Sequence, residues 1–359
     1  MNRFVYIKWF ALLLVFTILL ALTKTTTKTS YFLEQKEAAT LTMQAYEAIY
    51  NERQARGLLY TDPTRQNEVM DPYESGLLGY WLTNITTTTG DLRAKQLSIN
   101  PNFAAVVIDM IYKAGLSSGD EIGVVMSGSF PAIGIATLCA LEVMNIHTCV
   151  IASIGASSYG ATIPEFTIFD MMNVLYDQEI LKSQLDYVSW GGFNDTGLEY
   201  PDDVRMSIFS RIEASSIPLL TGGSFEGVIS ERMRILNDAL PHMSMFINIG
   251  GHFASMGQGF STYLDDNGLI MQGKRLYSSD RGLINRYLEQ GLPVIHFINI
   301  ESLVIEYDLS LSYEPISLDL SSSVYHDEVV NGILLCIPLL ISVVIFLRIG
   351  FKRKDPDSF

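Results

Sequence analysis

Three short turns of small residues carry the hydroxyls, imidazole and glycines from which a nucleophilic or anion-binding site is built. They are Ser127-Gly128-Ser129, the run Gly155-Ala156-Ser157-Ser158-Tyr159-Gly160, and Gly250-Gly251-His252. Two kinds of chemistry are open to them. Backbone N–H groups of such turns, with those of helix N-termini, form sites for carboxylate or phosphate. A serine next to a base instead becomes an acyl-transfer nucleophile. The elbow pattern G-x-S-x-G is only half met: Gly155 stands two before Ser157, Gly160 stands two after Ser158, and Ser127 and Ser129 lack both flanks. The order Ser157, Asp195, His252 is that of α/β-hydrolase triads, with His252 as base and Ser127, Ser157 or Ser158 as nucleophile. On the binding alternative, Ser127, Gly128, Ser129, Ser157, Ser158, Gly250, Gly251 and His252 are the ligand-holding residues, and Ser129 caps the helix that Pro131 opens.

The elements that must position these turns follow from periodicity. Apolar runs rich in β-branched residues predict buried strands in DEIGVVMS, HTCVIASIG, HMSMFINIGG and LPVIHFINI. Helices are expected over 31–56, over NPNFAAVVIDMIYKAG, over 131–144, and in TIFDMMNVLYDQ, DVRMSIFSRIEAS and SFEGVISERMRILNDAL. Residues 60–100, rich in Thr, Asn, Pro and Gly, read as irregular structure. Strands alternating with helices predict an α/β fold, an open and mostly parallel sheet with helices on both faces. Ligands bind such sheets beyond the carboxyl ends of the strands, where all three turns then open together.

The chain has 359 residues, 48% of them hydrophobic, and a net charge of −15. Its mean hydropathy of +0.23 is high for a globular chain. With so acidic a balance and no basic stripe outside the last residues, nucleic acid is not an expected partner. The three cysteines, Cys139, Cys149 and Cys336, have no paired spacing, so neither a disulfide framework nor a metal site is indicated. There is no G-K-[ST] and no G-x-G-x-x-G, and no cofactor is expected.

Two apolar runs bracket the body. Residues 9–23 follow Arg3 and Lys8; residues 330–347 precede Arg348, Lys352, Arg353 and Lys354. Read as transmembrane helices, with positive charge kept inside, they predict a two-pass membrane protein. Its organisation is a cytoplasmic start (1–8), an anchor (9–23), an extracytoplasmic α/β domain (24–329), a second span (330–347) and a basic cytoplasmic tail (348–359). The outer part then holds 18 basic and 37 acidic residues, a charge of −19.

Several segments together resemble a known family. DPYESGLLG (71–79), ITTTTGDLRAKQLSINPNFAAVV (85–107), SGSFPAIGIATLCALE (127–142) and SIGASSYGATIPEFTIFDM (153–171) are similar to the bacterial poly-γ-glutamate system protein family. So are SFEGVISERMRIL (224–236) and FINIGGHFASMG (246–257), the likeness covering about residues 31–300. The resemblance implies association with the membrane subunits that synthesise and export poly-γ-glutamate, and capsule biosynthesis as the setting. It supplies no catalytic residue. Two functional expectations follow. In one, a non-catalytic accessory protein binds polymer, an anionic ligand or a partner subunit. In the other, a surface serine hydrolase or transferase cuts or releases the polymer. A receptor domain for a small anionic solute keeps the same pocket without the polymer.

Overall fold

The computed structural model describes residues 24–59, 71–72, 74–192, 194–257, 267–271, 281–309 and 318–330, with 10, 13–14, 16–17, 336 and 340–344. The chain divides into two units, one spanning residues 31–324 and the other formed by the residues before and after it. In the second unit, β1 (Lys24–Lys28) pairs antiparallel with β11 (His326–Val330), Lys24 opposite Val330 and Lys28 opposite His326.

The larger unit is an α/β fold around a seven-stranded mixed sheet. Its strands are β3 (Glu121–Ser127), β4 (His147–Ser153), β6 (Tyr187–Ser189), β7 (Leu219–Leu220), β8 (Met243–Ile249), β9 (Gly268–Ile270) and β10 (Val294–Phe297). Their order is β7-β6-β4-β3-β8-β10-β9, and all pairs are parallel except β9 with β10. The central strands β4, β3 and β8 read as continuous apolar runs because helices cover both faces. One face is covered by α1 (Phe32–Ala55), α3 (Phe103–Lys113), α4 (Pro131–Val143) and α5 (Ile168–Asp177), which pack on one another. On the other, α7 (Phe225–Ala239) and α9 (Leu283–Glu289) bury Ile229, Leu236, Ile284 and Tyr287 against Val125, Ile151 and Phe246 of the sheet. Pro131 opens α4 at its first turn, and every residue from Pro131 to Leu141 is buried.

Two expectations are corrected. Among the described residues no helix is long and apolar enough to cross a membrane, so the flanking transmembrane helices, and with them the two-pass membrane placement, are not found. Most of residues 9–23 and 330–347, and all of 348–359, lie outside the described residues. Hydropathy alone had suggested these spans, and an apolar run fixes neither a helix nor its length. The stretch 60–100 is also not irregular throughout. It holds β2 (Thr86–Thr88) and α2 (Leu92–Ser98), with Asp91 capping α2 by accepting from the Ala94 N–H at 2.7 Å. A short threonine strand gives no alternating pattern to read. The helix signal, Asp91 before Leu-Arg-Ala-Lys-Gln-Leu, was present but brief.

Candidate functional site

Because β4, β3 and β8 are parallel neighbours, Ser153, Ser127 and Ile249 end on one edge of the sheet. The turns that follow them converge on a cleft of about 910 Å3, lined by Ser127, Ser129, Gly155, Ser157, Gly251 and His252. The opposite wall is the segment from Thr86 to Asp91 with Ala94 and Lys95. Strand β2 holds that wall in place by pairing parallel with β5 (Ala156–Ser157), Thr86 opposite Ala156 and Thr88 opposite Ser157.

The turns bind one another rather than presenting their N–H groups to the cleft. Gly128 N–H donates to Ser153 O at 2.9 Å and Gly160 N–H to Ser157 O at 3.0 Å. Ser129 N–H donates to Ser127 Oγ at 3.3 Å, and Ser157 N–H to Ser129 Oγ at 3.0 Å. Ser158 N–H donates to Thr88 O and Gly250 N–H to Phe297 O. The expected anion cradle of turn amides is therefore not formed by these groups. Helix α4 has no side-chain cap, because the Ser129 hydroxyl faces Ser157 instead. Ser158 is fully buried, does not line the cleft, and its Oγ has no hydrogen-bond partner among the described residues. Gly250 (φ +89°) takes a conformation that suits glycine, and a side chain there would collide with Ser127 Oγ.

The amine beside Ser157 belongs to a residue the sequence did not single out. Lys95 Nζ lies 2.8 Å from Ser157 Oγ, within hydrogen-bond reach, and also donates to Ser129 O. It sits 3.7 Å from the centre of the Phe130 ring. Only 1% of Lys95 is exposed. Burial pushes its ammonium down to about 7, against a smaller upward pull from Asp91. At neutral pH a substantial fraction is the free amine, which accepts a proton. The short helix α2 places Lys95 in the wall, and Gly90 gives it room. A Cβ on Gly90 would stand 2.7 Å from Ser158 O, 3.2 Å from Ser157 Oγ and 3.3 Å from Lys95 Cε.

His252 lines the same cleft but belongs to a separate polar cluster. Its Nδ1 accepts from the Ala254 N–H at 3.1 Å, which leaves the ring proton on Nε2. Nε2 is 4.0 Å from Asp195 Oδ1 and has no hydrogen-bond partner among the described residues. Burial, then the Arg232 guanidinium, push His252 down to about 4 despite Asp195, so it is neutral at pH 7. Asp195 accepts from Arg232 Nη2 and from the Gly191 N–H. Burial, the largest single influence, raises Asp195, but the Arg232 guanidinium, His252 and these hydrogen bonds together outweigh it and hold the carboxyl below its usual range. Arg232 Nη2 also donates to Ser189 Oγ at 2.8 Å, and Ser189 Oγ to Ser153 Oγ at 3.1 Å. Asp195 and His252 are thus together, whereas Ser157 hydrogen-bonds with Lys95.

The thiols of Cys139 and Cys149 are pushed up to about 12 by burial, which makes them poor nucleophiles. No group of three or more His, Cys, Asp or Glu among the described residues is placed to hold a metal. No protein-family model matches the chain, and neither does any curated protein.

Proposed function

We propose that this chain is an acyl-transfer enzyme, a hydrolase or transferase of amides or esters, with Ser157 as nucleophile and Lys95 as its general base. One observation carries the reading: a nearly fully buried lysine, 2.8 Å from a serine hydroxyl on the wall of a large cleft. Serine–lysine pairs do this chemistry on unrelated folds, because a desolvated amine is a base at neutral pH.

The sequence of steps balances. Neutral Lys95 takes the Ser157 hydroxyl proton as Oγ bonds to the substrate carbonyl carbon, and the carbonyl electron pair becomes an oxyanion. Collapse of that intermediate breaks the bond to the leaving nitrogen or oxygen, which takes the proton back from Lys95. Water, or an acceptor amine, then repeats the sequence on the Ser157 ester and regenerates the free hydroxyl. General base assistance of this kind contributes roughly 10²–10⁴-fold.

The substrate follows from the resemblance: a γ-linked glutamate chain, whose backbone amide is the bond cut or transferred. Association with the subunits that synthesise and export that polymer has the same support and no other. An accessory protein that only binds would not require a depressed lysine at a serine, and for that reason the enzymatic alternative is preferred.

The test is labelling by a fluorophosphonate probe, mapped by mass spectrometry. Ser157 carries the adduct, labelling rises with pH through about 7, and Lys95→Met slows it by roughly 10²-fold or more. A Ser157→Ala variant that still labels at the same rate, or a Lys95→Met variant indistinguishable from wild type, disproves the assignment.

A further inference from the structure

The tetrahedral intermediate at Ser157 needs hydrogen-bond donors for its oxyanion, and removal of one such donor typically lowers a rate by roughly 10²–10³-fold. Acyl-transfer enzymes commonly use the backbone N–H of the nucleophile or of the residue after it. Both are engaged here. Ser157 N–H donates to Ser129 Oγ at 3.0 Å, and Ser158 N–H donates to Thr88 O at 3.0 Å. The second bond belongs to the register that holds β2 beside β5, so releasing it would loosen the wall that carries Lys95.

The Ser129 hydroxyl stands differently. It accepts the Ser157 N–H, it lines the cleft, and no described residue accepts its own proton. An O–H that already accepts a hydrogen bond is polarised and donates more strongly. Ser129 is also fixed from two further sides: its N–H is held by Ser127 Oγ, and its carbonyl oxygen accepts from Lys95 Nζ. On the reading that Ser157 and Lys95 form the reacting pair, the geometry points to Ser129 as the oxyanion donor, its hydroxyl relaying the Ser157 N–H to the substrate oxygen.

This role differs from support of Lys95 in what it leaves untouched. Ser129→Ala keeps the carbonyl that Lys95 Nζ contacts and removes only Oγ. The experiment uses p-nitrophenyl acetate hydrolysis and fluorophosphonate labelling of the full chain, with thermal unfolding as a check on folding. Ser129→Ala should lose about 10²–10³-fold in kcat, with KM and the apparent pKa of the rate profile unchanged. Ser129→Thr, which keeps a hydroxyl, should retain most of the rate.

A Ser129→Ala variant as fast as wild type overturns the inference. So does a faster one, which would mean that the hydroxyl blocks the Ser157 N–H and that this amide is the true donor. Neither result touches the pairing of Ser157 with Lys95. Turnover that survives Ser157→Ala refutes that pairing itself, and the role of Ser129 falls with it.

Discussion

If Lys95 is the base, its depressed pKa must appear in the stability of the fold as well as in the rate. The perturbation is Lys95→Met, which keeps a linear apolar stem and removes the titrating group. In the unfolded chain a lysine titrates near its ordinary value of 10.5, and in the folded protein burial brings it down to about 7. Between those values the unfolded state binds the extra proton, so wild-type stability rises with pH across the window. Below it both states are protonated, and the cost of the buried charge is constant and fully present. Each pH unit within the window is worth about 1.36 kcal/mol. Urea unfolding of wild type and variant at pH ~7.5 and ~9.5 should therefore show wild type gaining roughly 2.5 kcal/mol on Lys95→Met. Tyrosines and other groups common to both proteins largely cancel in this difference. A difference that stays flat, within about 0.5 kcal/mol, means that Lys95 titrates alike in both states. The amine would then be protonated at neutrality and unable to act as base.

Three further outcomes follow from the same geometry. Gly90→Ala drives a Cβ against the Ser158 backbone oxygen, Ser157 Oγ and Lys95 Cε; it should lower p-nitrophenyl acetate turnover at least tenfold while costing about 1–3 kcal/mol in urea unfolding. Arg232→Met leaves Asp195 buried without its partner, and the loss in urea unfolding at pH 7 should be about 3–5 kcal/mol. His252 has a folded pKa of about 4 against an ordinary 6.5, so the unfolded chain binds the extra proton between those values and stability falls as pH drops. His252→Asn, whose side-chain oxygen still accepts from Ala254 N–H, should flatten that acid limb; an unchanged slope refutes the burial described.

The sequence makes the candidate hydroxyls legible and hides the lysine beside them. Ser157, Ser129 and His252 stand after β-branched runs, where a strand must end, so their meeting at one sheet edge follows from parallel order. Lys95 comes from 62 positions before Ser157, through a seven-residue helix and a three-residue strand. Neither element has the length to show a period, and a lysine among helix formers reads as a solvated one. Only the pairing of Thr88 with Ser157 turns that lysine into the wall of the cleft. The surroundings of His252 were hidden for a related reason. Chain order matches a triad, but the buried Arg232, 20 residues before His252, claims Asp195. A buried arginine in an amphipathic helix gives no sequence sign of facing inward.

The substrate proposal can be separated from the chemistry by salt. Among the described residues that line the cleft, the acidic side chains are Asp91 and Glu199, and the basic ones are Lys95 and the neutral His252. The whole chain carries −15. A γ-linked glutamate chain brings one free carboxylate per residue, so it approaches against like charge. Such repulsion reaches about 30 Å at 0.01 M salt and about 8 Å at 0.15 M. For that polymer KM should therefore fall severalfold between these salt concentrations, whereas p-nitrophenyl acetate, which is uncharged, should show no change. A polymer KM that rises with salt would require a cationic docking surface that the described cleft does not provide, and would overturn the electrostatic reasoning. Turnover of the neutral ester without any cutting or transfer of the polymer would leave Ser157 and Lys95 their chemistry and remove γ-linked glutamate as its object.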